Sequence, residues 1–166
     1  QNNQDGKRPK EITINLLENG VLKDSIATTE KDNWQYAFTN LAKYSNGTEI
    51  VYTLTENAVT DYRLSQDGYN LTNHYTPGKT TYNVQKVWQD GNNQDGLRPN
   101  DIDVQLLADG KVFGDIVTLS KANNWQYTWE DLQQKASGKD IVYTVKESNT
   151  PSDYTATFTT IDSTHG

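Results

Sequence analysis

One lysine stands where its type and spacing invite chemistry. In NVQKVW, residues 83 to 88, strand alternation places Val84, Lys86 and Trp88 on one face. If Trp88 points inward, the Lys86 amine enters an aromatic core, where loss of water favours the uncharged, nucleophilic form. The alternation equally allows Val87 to face inward and Lys86 to be an ordinary exposed strand lysine, the commoner use of the residue. An acid, Glu147, closes the strand-like segment DIVYTVKE at 140 to 147 and is the second titratable group of this constellation. Competing chemistries are thin. There is no Cys, which excludes a disulfide framework, a thiolate metal site and a cysteine nucleophile. His74 and His165 are not set in a serine, histidine and acid pattern. The stretch QDGNNQDG at 89 to 96 has the Asp, Asn and Gly of a calcium loop, but position twelve is Asp101 and not a glutamate, so turn chemistry accounts for it. No metal and no cofactor is expected. Trp34, Trp125 and Trp129 have the rings to stack on sugars, although core packing is the usual role of such residues.

The elements that position these groups follow from an internal repeat. NNQDGKRP at 2 to 9 returns as NNQDGLRP at 92 to 99, DNWQY at 32 to 36 as NNWQY at 123 to 127, and EIVYTLTE at 49 to 56 as DIVYTVKE at 140 to 147. The offset grows by one residue between the first pair and the others, which predicts a small insertion near Gly114. Two tandem copies of one domain are therefore present. The tract TNHYTPGKTT at 72 to 81, with the only Pro-Gly pair, reads as the joint, giving domains at 1–77 and 78–166. The first copy starts at its NNQDG turn, so it is expected to lack the N-terminal strand that carries Lys86 in the second. Period-two segments dominate: Ile102, Val104 and Leu106 share one face of DIDVQLLA, and Ile141, Tyr143 and Val145 share one face of DIVYTVKE. Turns at ENG, ADG and SGKD separate them, as in an all-β sandwich of about seven short strands per copy. EDLQQKA at 130 to 136 is the one helical temptation, at most a turn or two.

The segments KVWQDGNNQDGLRP, VQLLADGKV, NNWQYTW and IVYTVKE resemble the Cna B-type domain, the stalk module of Gram-positive surface adhesins. The resemblance covers nearly all of both copies. It implies two tandem inverse immunoglobulin-like β-sandwiches, an all-β fold. It also implies, as in many members, an intramolecular isopeptide bond between a first-strand lysine and a last-strand asparagine, assisted by a buried acid. Carried over by motif, the lysine matches Lys86 and the assisting acids match Glu56 and Glu147. The closing-strand amide matches Asn73 in the first copy. In the second copy Ser163 stands where Asn is expected, and Asp162 beside it is the alternative acyl partner. Copy one thus has acid and amide without its lysine, and copy two has lysine and acid without the amide.

Charge and composition fit a structural role. With 15 basic and 22 acidic residues the net charge is −7, so the surface holds no general attraction for nucleic acid or for an anionic membrane. Hydrophobic residues make up only 33%, yet 10 Tyr and 4 Trp exceed what a disordered chain carries. A thin aromatic core is expected. The resemblance implies an extracellular, wall-anchored spacer whose partners are neighbouring repeats, with any host extracellular-matrix protein bound through another domain. A direct binding module for such a protein or a glycan is the alternative. An enzyme is disfavoured, since isopeptide formation occurs once per molecule.

Overall fold

The computed structural model describes residues 3 to 157. The chain forms two compact units, 1–76 and 77–166. In unit one, alternating apolar residues build β1 (Glu11–Glu18), which lies antiparallel between β2 (Val21–Thr29) and β5 (Tyr52–Glu56). Two hairpins complete the unit: β3 (Tyr44–Ser45) with β4 (Thr48–Glu49), and β6 (Arg63–Asp67) with β7 (Asn70–His74). Ile14, Leu16 and Leu54 form its core, with Tyr36, Phe38 and Leu71 packed on them.

Unit two repeats the plan. β9 (Asp101–Ala108) is the central strand, flanked on one side by β10 (Lys111–Val112) and β11 (Val117–Ser120) and on the other by β15 (Tyr143–Glu147). Across the core, β8 (Lys79–Gln85) pairs with β12 (Gln126–Gln133), while β13 (Lys135–Ala136) and β14 (Lys139–Asp140) form a small hairpin. The expected inward set of β9 is buried: Ile102, Val104 and Leu106 pack with Leu119, Leu132, Trp125 and Trp129. The tryptophans of this unit serve the core, the usual role of such residues. The fold is all-β, as the sequence pattern implied.

Two local features depart from simple alternation. EDLQQKA is not helical: its first residues continue β12, and the ladder with β8 shifts register between Trp129 and Leu132, where Asp131 takes a left-handed φ of 54°. Trp129 and Leu132 both reach the core, and that three-residue spacing mimics a helix because a bulge has added a residue to a strand. The second feature is the insertion. Where β2 runs unbroken for 9 residues, its counterpart is split into β10 and β11 around Gly114, whose φ is +67°. Gln105, buried on the outer face of β9, anchors the detour by donating from Nε2 to the carbonyls of Leu106, Phe113 and Gly114 at 3.1, 3.1 and 3.2 Å. Asn15, the counterpart of Gln105, instead bonds Thr55, Asn57 and Ser25 across the unbroken sheet.

Candidate functional site

The end of β8 and the end of β15 bring Lys86 and Glu147 together. The Lys86 amide donates to the Trp125 carbonyl at 2.8 Å, prolonging the β8–β12 ladder by one residue and fixing which face the side chain takes. Val87 is 69% exposed, so the inward set is Val84, Lys86 and Trp88. Opposite, Glu147 is paired with Val104, and the next amide, Ser148, donates to the Asp103 carbonyl. Lys86 Nζ donates to Glu147 Oε2 at 2.8 Å, with side-chain exposures of 16% and 3%. This ion pair bridges the two layers of the sandwich. Nζ also lies 4.6 Å from the Trp88 ring centroid, close enough for a cation–π contribution.

Unit one has the same acid with a different partner. Glu56, closing β5, accepts from Asn73 Nδ2 of β7 at 2.6 Å through Oε1. Again the contact crosses from the three-stranded sheet to the facing hairpin. The remaining oxygen of each acid, Glu56 Oε2 and Glu147 Oε1, is buried and has no hydrogen-bond partner among the described residues. Each carboxyl therefore engages a partner of its unit, an amide or an amine, through one oxygen. Of the five residues singled out from sequence, the structure joins Lys86 with Glu147 and Asn73 with Glu56. Asp162 lies outside the described residues, as do Ser163 and His165.

Sequence reasoning missed what braces Lys86. Arg98 binds Asp90 through two nitrogens, at 2.8 and 2.5 Å, and its guanidinium lies 5.8 Å from the Trp88 ring. The Tyr154 hydroxyl donates to Asp90 at 3.1 Å while its ring meets Trp88 edge-on at 4.9 Å, and Trp125 meets Trp88 on another side at 5.2 Å. The Arg98 guanidinium first, then the Asn93 amide and Tyr154 hydroxyl, hold the Asp90 carboxyl well below the usual carboxylate range. The Asp-to-Arg spacing of eight residues around the repeated turn was the available signal, but Tyr154 is far along the chain. In unit one the Tyr75 hydroxyl donates to Asp5 at 2.8 Å, a bond that pushes its own ionisation up to about 12.

A cavity of 1140 Å³ opens beside the Lys86–Glu147 pair, lined by Val84, Trp88, Ile102 and Val145 and reaching Thr157, the last described residue. The calcium reading of 89 to 96 finds no support in the geometry: Asp90 is spent on Arg98, and no cluster of three or more His, Cys, Asp or Glu able to hold a metal occurs among the described residues. His74 bonds Ser65 at 2.8 Å on the surface of the β6–β7 hairpin, and among the described residues no acid is bonded to it. Among the described residues no helix is long and apolar enough to cross a membrane.

Comparison with known proteins places this geometry in context. The family model for the Cna protein B-type domain matches residues 1–74 and 82–166. The collagen adhesin of Staphylococcus aureus is 46% identical over 155 residues, which is 93% of this chain and 13% of the adhesin. The chain thus spans only a small part of the relative it matches. Among solved structures, a single B repeat unit (B1) of the S. aureus collagen-binding surface protein Cna is 46% identical, with a TM-score of 0.46 and coverage of 93% of this chain and 83% of that one. The two-repeat structure, B1B2, is also 46% identical at a TM-score of 0.46, covering 92% and 41%.

Proposed function

The chain belongs to the Cna protein B-type domain family, and from that premise we propose that it is part of the stalk of a Gram-positive cell-surface adhesin. Its two repeats, assigned to 1–77 and 78–166, act as spacers outside the cell and hold an adhesive domain away from the wall to which the parent protein is anchored. Their immediate partners are neighbouring repeats, and a host extracellular-matrix protein is bound by another domain. The observation that carries this reading further is the pair of half-buried acids, each with one oxygen engaged and one buried oxygen without a partner among the described residues.

Those acids are the assisting groups of an isopeptide condensation. In unit two the condensation needs a neutral Lys86 amine and a protonated Glu147, which transfer of the Nζ proton within the hydrogen-bonded pair would supply. The amine attacks the acyl carbon of Asp162, the protonated Glu147 donates to the acyl oxygen, and water leaves as the amide forms. In unit one Glu56 already holds the Asn73 carboxamide; a lysine amine from a separately supplied strand would attack its carbon and expel ammonia. Proximity supplies the drive, since groups held in contact reach effective molarities of about 10⁵ M or more. Such a link would join the two layers of the sandwich and carry tension around a thin core.

Intact mass tests the chemistry. A Lys86–Asp162 bond removes about 18 Da and a lysine–Asn73 bond about 17 Da, by the water or ammonia released, and a branched tryptic peptide locates it. An unchanged mass overturns the condensation in this chain. The spacer role has a separate test: specific, saturable binding of a matrix protein by this chain alone would overturn it.

A further inference from the structure

The sequence holds two Asn-Gly dipeptides, Asn19-Gly20 and Asn46-Gly47, and both asparagines sit in left-handed turns, with φ of 51° and 48°. We infer that Asn46 is a site of spontaneous deamidation in the folded chain, whereas Asn19 is protected. The reaction is intramolecular. The Gly47 backbone nitrogen attacks Cγ of Asn46, loses its proton and expels ammonia, forming a five-membered succinimide. Water then opens either carbonyl, giving aspartate or, through the other bond, isoaspartate. Glycine offers no Cβ to obstruct the approach, and the space around Gly47 is clear to 4 Å.

A left-handed residue turns the next amide nitrogen away from its own Cβ, so the reaction must proceed from a locally opened turn. The two turns differ in what opening breaks. Asn19 caps the long β1–β2 ladder, its Oδ1 accepts the Val51 amide at 3.0 Å, and its own amide donates to the Val51 carbonyl at 2.8 Å. Its carboxamide is clamped across the strand. Asn46 joins β3 and β4, two residues each and all four exposed, and its carboxamide has no hydrogen bond among the described residues. Segments with few buried contacts and short ladders open at the smallest free energy.

Unit two supports the contrast by what it carries instead. Asp109-Gly110 replaces Asn19-Gly20 with the same clamp on Val142, and Ser137-Gly138 replaces Asn46-Gly47. An aspartate is thus accommodated at the first turn, while the second turn has no reactive amide in that unit. The succinimide also matters for the mass test above, because it weighs the same as a lysine–asparagine cross-link; hydroxylamine cleaves it between 46 and 47 and leaves an isopeptide intact. The inference itself does not depend on the cross-link.

The full 166-residue chain, incubated folded at mildly alkaline pH and mapped by peptide mass spectrometry with isoaspartyl methyltransferase labelling, decides it. Asn46 should convert about tenfold faster than Asn19 or more, as a difference of about 1.4 kcal/mol in opening would give. In denaturant the two rates should converge. Asn46→Ser, the residue unit two uses, should abolish the fast phase without disturbing the hairpin. Equal rates at Asn19 and Asn46 in the folded chain, or an intact Asn46 after the denatured chain has reacted, would overturn the inference.

Discussion

Replacing Lys86 by methionine should destabilise unit two far more than replacing Glu147 by glutamine. Methionine fills much of the lysine stem but strands a carboxylate that is 3% exposed. Removing one partner of a buried ion pair costs about 3–5 kcal/mol, a large part of the roughly 5–15 kcal/mol that holds a whole domain together. Glutamine at 147 leaves a lysine whose side chain, 16% exposed, still reaches water and can donate to the amide oxygen; the loss there is about 1–3 kcal/mol, that of a weakened charge-assisted hydrogen bond. Urea denaturation followed by tryptophan fluorescence reads this well, because Trp88, Trp125 and Trp129 all lie in unit two. With a slope of about 2 kcal/mol per molar urea, Lys86→Met should lower the midpoint by about 2 M. The double variant should be more stable than the sum of the single losses, since it leaves no charge unpaired. The measurement belongs on protein whose intact mass shows no condensation. A Lys86→Met loss below about 1 kcal/mol, or strictly additive single variants, would refute the claim that this pair is buried and coupled.

Further outcomes follow from the surrounding groups. Because Arg98 holds the Asp90 carboxyl below its ordinary range, the stability it contributes is present above about pH 4 and is lost as pH falls through that range toward its folded-state value; Asp90→Asn should flatten the acid limb of the unit-two stability profile in denaturation series. Tyr75, held up to about 12 by Asp5, contributes stability that is full below the ordinary tyrosine value of about 10 and is lost as pH rises toward 12; in spectrophotometric titration Asp5→Asn should bring one late-ionising tyrosine back toward the others. Gln105→Ala should cost about 1–3 kcal/mol by thermal unfolding, since the Leu106 carbonyl of β9 and the Phe113 and Gly114 carbonyls of the detour lose their shared donor. The corresponding Asn15→Ala should cost less, its bonds being exposed.

Much of the strand plan was legible because period-two burial is written directly into segments such as DIDVQLLA. What alternation cannot do is choose a face when both faces carry an apolar residue. Lys86 and Val87 posed that choice, and it is settled by the Trp125 carbonyl, which receives the Lys86 amide from a strand some forty residues away. Bulges defeat the pattern for a related reason: one extra residue before Leu132 turned a strand spacing into a helical one. The insertion near Gly114 was visible as a change of offset, yet its anchor, Gln105, reads in sequence as an ordinary outward-facing polar residue. The Arg98, Asp90, Tyr154 and Trp88 brace was hidden because its members are spread over 88 to 154 and share no common period.

The two acids carry the argument beyond packing. A domain with few apolar residues has little stability to spare, and a buried carboxyl oxygen without a partner, as each acid has among the described residues, lowers it further. Evolution of a purely structural contact would favour a second donor to that oxygen, or an apolar replacement for the pair, which is often neutral or stabilising. Among the described residues neither is present in either unit: Glu56 and Glu147 occupy equivalent strand ends, cross the same interlayer space, and each has one buried oxygen without a partner there. That the engaged partner is an amide in one unit and an amine in the other argues that the acid, not a particular contact, is the retained feature. On the proposed condensation, an acid so placed would hold either reactant and hand a proton between them, a role that a salt bridge alone does not call for.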